Sequence, residues 1–236
     1  MIITIDGPAG SGKSTTARAV AQRLGFRHLD SGAFYRAITF AAQRAGIPAD
    51  RWPALSPDAL NALAVHGRPA DSGWRLFAGA EDITDRIRSP EVTGAVSYMA
   101  RVPAVRAWLF GQLRAAGEGT DLVTDGRDMG TVVFPDAELK VFLVAEPRER
   151  ARRRLLERGT GAPTAPELDA ETARLLERDR IDSERAVAPL VRPADAVVLD
   201  TTHLAFEEQV EAVVRFARAR RGARPGDSGS DVTVGG

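Results

Sequence analysis

A glycine-rich segment near the N-terminus has the residue types and the spacing that bind phosphate. The stretch GPAGSGKST follows the pattern Gly-x-x-x-x-Gly-Lys-[Ser/Thr], with an apolar run before it and a helical pattern after it. Glycines let backbone amides turn inward onto phosphate oxygens, and the helix that follows adds the positive end of its dipole. The segment therefore predicts a nucleotide-binding loop formed by Gly7, Gly10, Ser11, Gly12, Lys13, Ser14 and Thr15.

Lys13 and Ser14 give this loop its charge and its metal ligand. Only two of the 32 basic residues are lysines, so a chain that uses arginine almost everywhere still has lysine at position 13. An ammonium group is a compact charge that suits terminal phosphates, whereas the guanidinium fork is wider. The Ser14 hydroxyl is a ligand for Mg²⁺, which accompanies nucleotide phosphates. We therefore expect Mg²⁺ to be bound together with the nucleotide.

The classes of protein that share such a loop differ in other sequence features. A guanine-specific switch needs an Asn-Lys-x-Asp segment, but Asn61 is the only asparagine in the chain. A nucleic-acid motor needs basic or aromatic platforms, whereas aromatic residues make up 6% of this chain and its formal net charge is zero. These features favour a kinase that acts on a small molecule.

Arginines at the ends of predicted elements indicate the acceptor. A hydroxyl acceptor usually needs a carboxylate base, whereas a nucleoside monophosphate already presents an anionic oxygen and needs only positioning and charge neutralisation. The second case predicts several arginines at one site. Such arginines are Arg36, Arg106, Arg127, Arg178 and Arg185.

The segment ERDRIDSER adds a carboxylate to two of these arginines. If it is helical, positions 178, 182 and 185 share one face, which puts Asp182 between two guanidinium groups. The alternative interpretation is a solvated stripe of ion pairs. The segment follows residues from about 156 to 172, which are predicted to form a short lid, and this location favours the functional interpretation.

Strands and helices alternate along the chain and must position these residues. Five short apolar runs end at polar or glycine-rich turns, and helical patterns such as STTARAVAQRLG, which ends at Gly25, separate them. This alternation predicts an α/β fold, with a parallel sheet covered by helices on both faces. The five predicted strands are residues 2–5, 26–29, 122–124, 140–144 and 196–199.

We predict a single domain over residues 1–221, with two additions to the sheet and its helices. The stretch between the second and third strands is longer than one crossover needs, so residues from about 47 to 92 are interpreted as an inserted subdomain. Within it, WRLFAGAEDIT is expected to form a hairpin around its glycine. Residues from about 156 to 172 are predicted to form a short lid. Residues 222–236 have little apolar content and are predicted to be a disordered tail.

The composition bears on the cellular setting and on the partners. The chain has no cysteine, which removes disulfides and thiol catalysis and fits a reducing compartment. Its first residues lack the pattern of a signal peptide, and no stretch nears the roughly eighteen apolar residues of a membrane span. We expect a cytoplasmic monomer that binds small molecules and neither nucleic acid nor membrane.

Several stretches, taken together, resemble the bacterial cytidylate kinases. These are IDGPAGSGKST, LDSGAFYRA, DGRDMGTVVFPDAELKVFL, RDRIDSERAVAPL and VVLDTT, in that family's order and roughly its spacing. The resemblance covers residues 1 to about 217. The second and third stretches carry most of it, because many unrelated enzymes share the phosphate loop.

The resemblance implies a five-stranded nucleoside monophosphate kinase of the phosphate-loop type, with an inserted acceptor-binding subdomain and a short lid. Such an enzyme transfers the γ-phosphoryl group of Mg-ATP to CMP or dCMP, giving CDP or dCDP and ADP. ATP would be held by the phosphate loop, and the charge of the transferred group neutralised by Lys13, Arg127, Arg178 and Arg185.

The resemblance also implies which residues contact the acceptor. Ser97, Arg106 and Asp128 match the positions that read cytosine. Arg178 and Asp182 match those that read the ribose, and the remaining acceptor-side positions are Ser31, Arg36, Arg127 and Arg185. A carboxylate at position 128 suits the amine of cytosine and would repel the carbonyl that uracil has there.

Two alternative functions stay open. A kinase of the same fold could act on UMP or AMP, or the chain could bind nucleotide or nucleic acid without catalysis.

Some residues depart from the resemblance. Ala205 stands where the family has a small residue with a hydroxyl group, which caps the last helix. The three histidines, His28, His66 and His203, match no catalytic position and are interpreted as structural or surface residues.

Overall fold

The computed structural model describes residues 1–70, 73–159 and 161–222. Apart from Gly222, the predicted tail therefore lies outside the described residues. In chain order the elements are β1 (Ile2–Asp6), α1 (Lys13–Leu24), β2 (Arg27–Asp30), α2 (Ser31–Arg44), a 3₁₀ helix (Ala49–Ala54), α3 (Pro57–Ala62), β3 (Val65–Ala70), β4 (Gly73–Ala78), β5 (Glu81–Asp82), α4 (Pro90–Met99), α5 (Pro103–Gly117), β6 (Leu122–Gly126), a π-helical turn (Met129–Val133), β7 (Leu139–Val144), α6 (Pro147–Glu157), α7 (Ala165–Glu184), β8 (Val197–Asp200) and α8 (Phe206–Gly222).

Five parallel strands form the main sheet, in the order β2-β6-β1-β7-β8. The central strand β1 pairs with β6 on one side and with β7 on the other, so Ile3 and Ile5 are fully buried. The five predicted strands are confirmed within two residues at each end, and so is the predicted fold class.

Helices cover both faces of the sheet because each face contributes its own set of apolar side chains. On one face, Val20 of α1 and Val213 of α8 pack on β1, β6 and β7. On the other face, Ile38 of α2 and Leu109 of α5 belong to a larger core that also includes Leu29 and Leu122. The predicted helix after the phosphate loop is confirmed, and it ends at Gly25, which has φ 69°.

The segment between α2 and α4 contains a small antiparallel sheet, in the order β3-β4-β5. The predicted hairpin is confirmed, since β4 pairs antiparallel with β5 across a turn at Gly79. The sequence analysis did not predict β3, because VHGRPA contains glycine and proline and has only Val65 buried. The division of the chain into a domain and a subdomain stays a prediction.

Helices α6 and α7 flank the segment predicted to be a lid. The connection between them runs from Arg158 to Thr164, and the side chains of Thr164 and Glu167 form a capping box at the start of α7. The rest of the predicted lid lies in the last turn of α6 and the first turns of α7. Movement of this segment stays a prediction.

The start of α8 shows how the chain compensates for a missing cap. Ala205 has no side chain that could accept a hydrogen bond, as expected from the sequence. Instead the Glu208 carboxylate accepts from the Ala205 backbone N–H at 2.9 Å. One of the donors at this helix end is therefore paired by a residue further along the helix.

No helix among the described residues is both long and apolar enough to cross a bilayer. The expected cytoplasmic location, the monomeric state and the lack of nucleic-acid binding stay predictions.

Gly7 joins β1 to the phosphate loop, and its position leaves no room for a side chain. Its φ is +148°, and a Cβ there would overlap the carbonyl oxygen of Leu143 in β7. We expect Gly7→Ala to lower the free energy of unfolding by at least about 3 kcal/mol, because backbone strain and forced movement of a strand each cost on the order of 1–3 kcal/mol. Urea denaturation without nucleotide measures this loss.

Gly25→Ala is the matched control, because Gly25 also has a positive φ, +69°, but open space where its Cβ would lie. Its loss should be about 1 kcal/mol, from backbone strain alone. Equal losses in the two variants would show that β7 accommodates the added methyl group.

Candidate active site

The phosphate loop connects β1 to α1 at the carboxyl edge of the sheet, where parallel strands present ligand sites. Gly10 and Gly12 have φ of 74° and 85°, and α1 begins at Lys13. The Lys13 ammonium donates to the Pro8 carbonyl at 2.6 Å. Burial, and then the nearby Arg127 guanidinium, hold the pKa of Lys13 well below its usual range. Burial therefore disfavours the ammonium form, which a bound anion would stabilise.

A cavity of about 350 Å³ opens in front of the loop. Gly10, Gly12, Lys13, Ser14 and Thr15 line it. Gly7 and Ser11 do not, although both belong to the predicted nucleotide-binding set. Gly7 packs against β7, and the buried Ser11 hydroxyl donates to the Pro8 carbonyl at 3.1 Å. These two residues support the conformation of the loop without lining the cavity.

Ser14 pairs with a residue that the sequence analysis did not single out. Its hydroxyl donates to the carboxylate of Asp125, which ends β6 together with Gly126, and both side chains line the cavity. Hydroxyl and carboxylate oxygens are the ligand types that Mg²⁺ prefers. Within the described parts of the chain, no group of three or more His, Cys, Asp or Glu residues could hold a metal ion. The Ser14–Asp125 pair places two oxygen ligands of this type together at the cavity.

Asp6, the last residue of β1, holds the turn that carries Arg127 and Asp128. Its carboxylate accepts from the backbone N–H groups of Met129 at 3.0 Å and Gly130 at 2.7 Å. Burial raises the pKa of Asp6 to about 6, against the opposing effect of these two hydrogen bonds. A Cβ at position 130 would lie 2.7 Å from the Thr4 hydroxyl, so only glycine lets the turn approach β1 this closely.

Arginines and aspartates alternate along one wall of the cavity. Arg106 donates to Asp128, and both side chains are buried. Asp128 also lies 3.5 Å from Arg185, which in turn lies 3.6 Å from Asp182. Asp182 accepts from Arg127 Nε at 2.8 Å. Asp182 thus pairs with two guanidinium groups, as predicted, but they belong to Arg127 and Arg185 rather than to Arg178 and Arg185. Arg185 lies just beyond the last residue of α7.

In this cluster, the pKa values of Asp182 and Arg178 both lie below their usual values. Burial by itself raises the pKa of Asp182, but Arg127, Arg178 and Arg185 outweigh it and lower the pKa below its usual value. Burial, and then repulsion by Arg127, lower the pKa of Arg178 to about 10. Both side chains therefore keep their charges at neutral pH.

The remaining predicted acceptor residues reach the same cavity from two elements, α2 and α4. Arg36, on α2, donates to the Thr93 hydroxyl at 2.8 Å. Ser97 lines the cavity from α4. The Ser31 hydroxyl is buried and donates to the Asp125 carbonyl at 2.7 Å. Every predicted acceptor-side residue lines this cavity, which brings together Ser31, Arg36, Ser97, Arg106, Arg127, Asp128, Arg178, Asp182 and Arg185.

The cavity carries excess positive charge. Among the described residues, nine basic and five acidic side chains line it. Because the formal net charge of the whole chain is zero, this excess is local. A cavity of this kind attracts ligands with several negative charges.

Comparisons with known proteins identify the family of the chain. A family model described as Cytidylate kinase matches residues 3–219. The chain belongs to the cytidylate kinase family. A cytidylate kinase from Pelotomaculum thermopropionicum is 45% identical over 219 residues, which cover 93% of this chain and 96% of that protein.

Other relatives of this cytidylate kinase family member are longer. A bifunctional pantoate ligase/cytidylate kinase from Synechococcus sp. (strain WH7803) is 47% identical over 220 residues. The match covers 93% of this chain but 45% of that protein, so the chain spans about half the length of the bifunctional relative. Among solved structures, a gluconokinase from Sinorhizobium meliloti 1021 aligns over 93% of both chains, with 16% identity and a TM-score of 0.46.

The sequence analysis of this cytidylate kinase family member missed several residues of the cavity. Asp125 lies near the end of the buried strand β6, and its position at the carboxyl edge of a parallel sheet was a usable signal. Arg153 and Arg154 lie in the run RERARRRLLER, which has the composition of a solvated helix and offers no such signal. The missed lining residues with polar or charged side chains are Asp30, Tyr35, Arg88, Asp125, Arg153, Arg154 and Glu157.

Arg150 and Asp179 fasten the phosphate loop to α6 and α7. Arg150 is buried, and one of its terminal nitrogens donates to the Ala9 carbonyl and to Asp179, both at 2.6 Å. The other oxygen of Asp179 accepts from the Ala9 N–H at 2.7 Å. The backbone of one loop residue is therefore held on both sides by a single ion pair.

Asp179→Asn tests this fastening. The substitution leaves the buried Arg150 charge without a carboxylate, which typically costs about 3 kcal/mol of unfolding free energy. We expect a loss of that size in urea denaturation, together with weaker ATP binding. Glu177→Gln, two residues away on α7, is the control, because Glu177 pairs with Arg180 in solvent and its loss should leave the unfolding midpoint unchanged. A midpoint shift no larger than the control's would show that Asp179 does not anchor the loop.

Proposed function

We propose that this chain transfers the γ-phosphoryl group of ATP to CMP or dCMP, giving CDP or dCDP and ADP. The observation that carries the proposal is the shared cavity. The phosphate loop and the arginine cluster line one space of about 350 Å³, so a donor phosphate and an acceptor phosphate can meet there. The family to which the chain belongs supports this assignment.

On the donor side, the phosphate loop would bind ATP. The loop amides around Gly10 and Gly12 and the start of α1 suit an anion, and Lys13 supplies charge to the terminal phosphates. Ser14 and Asp125 would hold Mg²⁺ together with phosphate oxygens. When bound, the ion neutralises charge on the phosphates and orients them.

On the acceptor side, the arginines would neutralise charge on the transferred group. Arg127 and Arg178 lie close enough to Lys13 to lower its pKa, so these three cations converge on one region. Asp182 holds Arg127 in place before any ligand arrives. Such preorganised charge is worth more in a water-excluded cavity than in solvent, and it requires no covalent intermediate.

Cytosine would be read by Asp128, with Arg106 and Ser97 beside it. Asp128 is buried between Arg106 and Arg185, and its carboxylate oxygens can accept hydrogen bonds from a base. An ionised carboxylate suits the exocyclic amine of cytosine and repels the carbonyl of uracil. Arg178 and Asp182 would contact the ribose.

The acceptor assignment is tested by offering nucleoside monophosphates one at a time. ADP production from Mg-ATP is measured with CMP, dCMP, UMP, AMP and GMP, and without acceptor to subtract hydrolysis. We expect turnover with CMP and dCMP, weak turnover with UMP and almost none with purines, because a site that hydrogen-bonds an amine can reject analogues lacking it by up to roughly ten-thousandfold. Equal rates with UMP would remove Asp128 as a selector. The absence of turnover with every acceptor would favour a binding protein.

Arg127→Ala separates a catalytic role from a structural one. We expect kcat/KM to fall at least about 100-fold, equivalent to about 2.7 kcal/mol of transition-state stabilisation. The free energy of unfolding should fall by less than about 1.5 kcal/mol, because Arg178 and Arg185 remain near Asp182. Arg180→Ala is the control, since Arg180 points to solvent and pairs with Glu177 and Glu184. Losses of similar size in turnover and in stability would make Arg127 structural.

A further inference from the structure

His28 is buried beside the cavity, where the sequence interpretation left it without a specific role. It lies in β2, the strand that pairs with β6 in parallel, and its side chain is 6% exposed. Its Nε2 lies 2.8 Å from Asp125 Oδ1. A polar ring buried at this position therefore has a definite partner, which belongs to the candidate active site.

The second carboxylate oxygen of Asp125 accepts from the Ser14 hydroxyl. A hydrogen-bonded chain thus runs from β2 through β6 to the first turn of α1. The backbone carbonyl of Asp125 is also occupied, since it accepts from the Ser31 hydroxyl. Both carboxylate oxygens and the backbone of Asp125 are therefore held from different directions.

The direction of each hydrogen bond follows from the chemistry of the groups. A carboxylate oxygen accepts hydrogen bonds, so the tautomer that fits this contact has its proton on His28 Nε2, which donates to Asp125. Because Ser14 donates its hydroxyl hydrogen to Asp125, the lone pairs of its oxygen point elsewhere and are available to a cation. Outer partners that orient metal ligands in this way commonly change metal affinity by 10- to 100-fold when removed.

We propose that His28 is a positioning residue, which fixes the Asp125 carboxylate and through it the Ser14 hydroxyl for Mg²⁺ bound with a nucleotide. The proposal rests on the proposed function only in taking a magnesium nucleotide as the ligand of the phosphate loop. Without His28, one oxygen of a buried carboxylate loses its donor, and the carboxylate is free to turn away from Ser14.

The test measures ADP affinity by calorimetry, once with saturating MgCl₂ and once in EDTA. The ratio of the two dissociation constants gives the contribution of Mg²⁺ to binding. We expect His28→Phe to reduce this ratio by about 10-fold or more, while the affinity in EDTA changes less than about threefold. His28→Gln should restore most of the ratio, because its amide nitrogen can donate at about the position of Nε2.

A purely structural histidine gives a different pattern, and that pattern would overturn the proposal. In that case His28→Phe would weaken ADP binding equally with and without Mg²⁺, or the Gln and Phe variants would behave alike. If the Phe variant does not fold, His28→Asn replaces it, since the shorter amide cannot reach Asp125. His66→Phe is the matched control, because His66 stacks on Phe77 in the small sheet, away from the cavity. The readout needs no acceptor, so the outcome is independent of whether CMP is phosphorylated.

Discussion

Repulsion among closely placed guanidinium groups is the constraint on which the rest of the cavity depends. Arg106, Arg127 and Arg185 lie within one wall, and an uncompensated cluster of this kind would not stay buried. Asp128 and Asp182 compensate it by alternating with the arginines, and each aspartate pairs with two of them. The pairs hold the guanidinium groups in position. Basic side chains still outnumber acidic ones in the cavity lining, and this excess positive charge is available to anionic ligands.

Aspartates at the carboxyl ends of strands hold the loops and helix starts of the site to the sheet. Asp6 ends β1 and accepts from two amides of the turn after β6, and Asp30 ends β2 and caps α2. Asp125, near the end of β6, accepts from the first turn of α1. In a parallel sheet these strand ends meet at one edge. Short acidic side chains there tie the phosphate loop, the Arg127 turn and α2 to the same rigid strands.

The sequence predicted those parts of the fold and site whose signals are local. The five strands, α1 and the phosphate loop are each contained in a short stretch, and the hairpin around Gly79 has its turn residue in place. Strand β3 was missed because its own sequence disfavours a strand, and only pairing with β4 stabilises it. The role of Arg150 and the contacts of Asp125 with Ser14 and His28 were missed for a related reason. Their roles depend on residues 97 to 141 positions away, and an arginine-rich chain gives no local sign of which arginine is buried.

The proposed selection of the base would be a property of the cluster rather than of Asp128 alone. The side chain of Asp128 does not stand alone in the cavity wall. Arg106 donates to it, Arg185 lies 3.5 Å from it, and Asp182 holds Arg185 from its other side. These contacts fix the direction in which the carboxylate oxygens of Asp128 face, and so which donor of a base could reach them. Neutralising Arg106 would thus be expected to relax discrimination between cytosine and uracil even if Asp128 were unchanged. The carboxylate proposed to select the base and the arginines proposed to bind phosphate are coupled through the same alternating pairs, so a change in one is expected to affect the other.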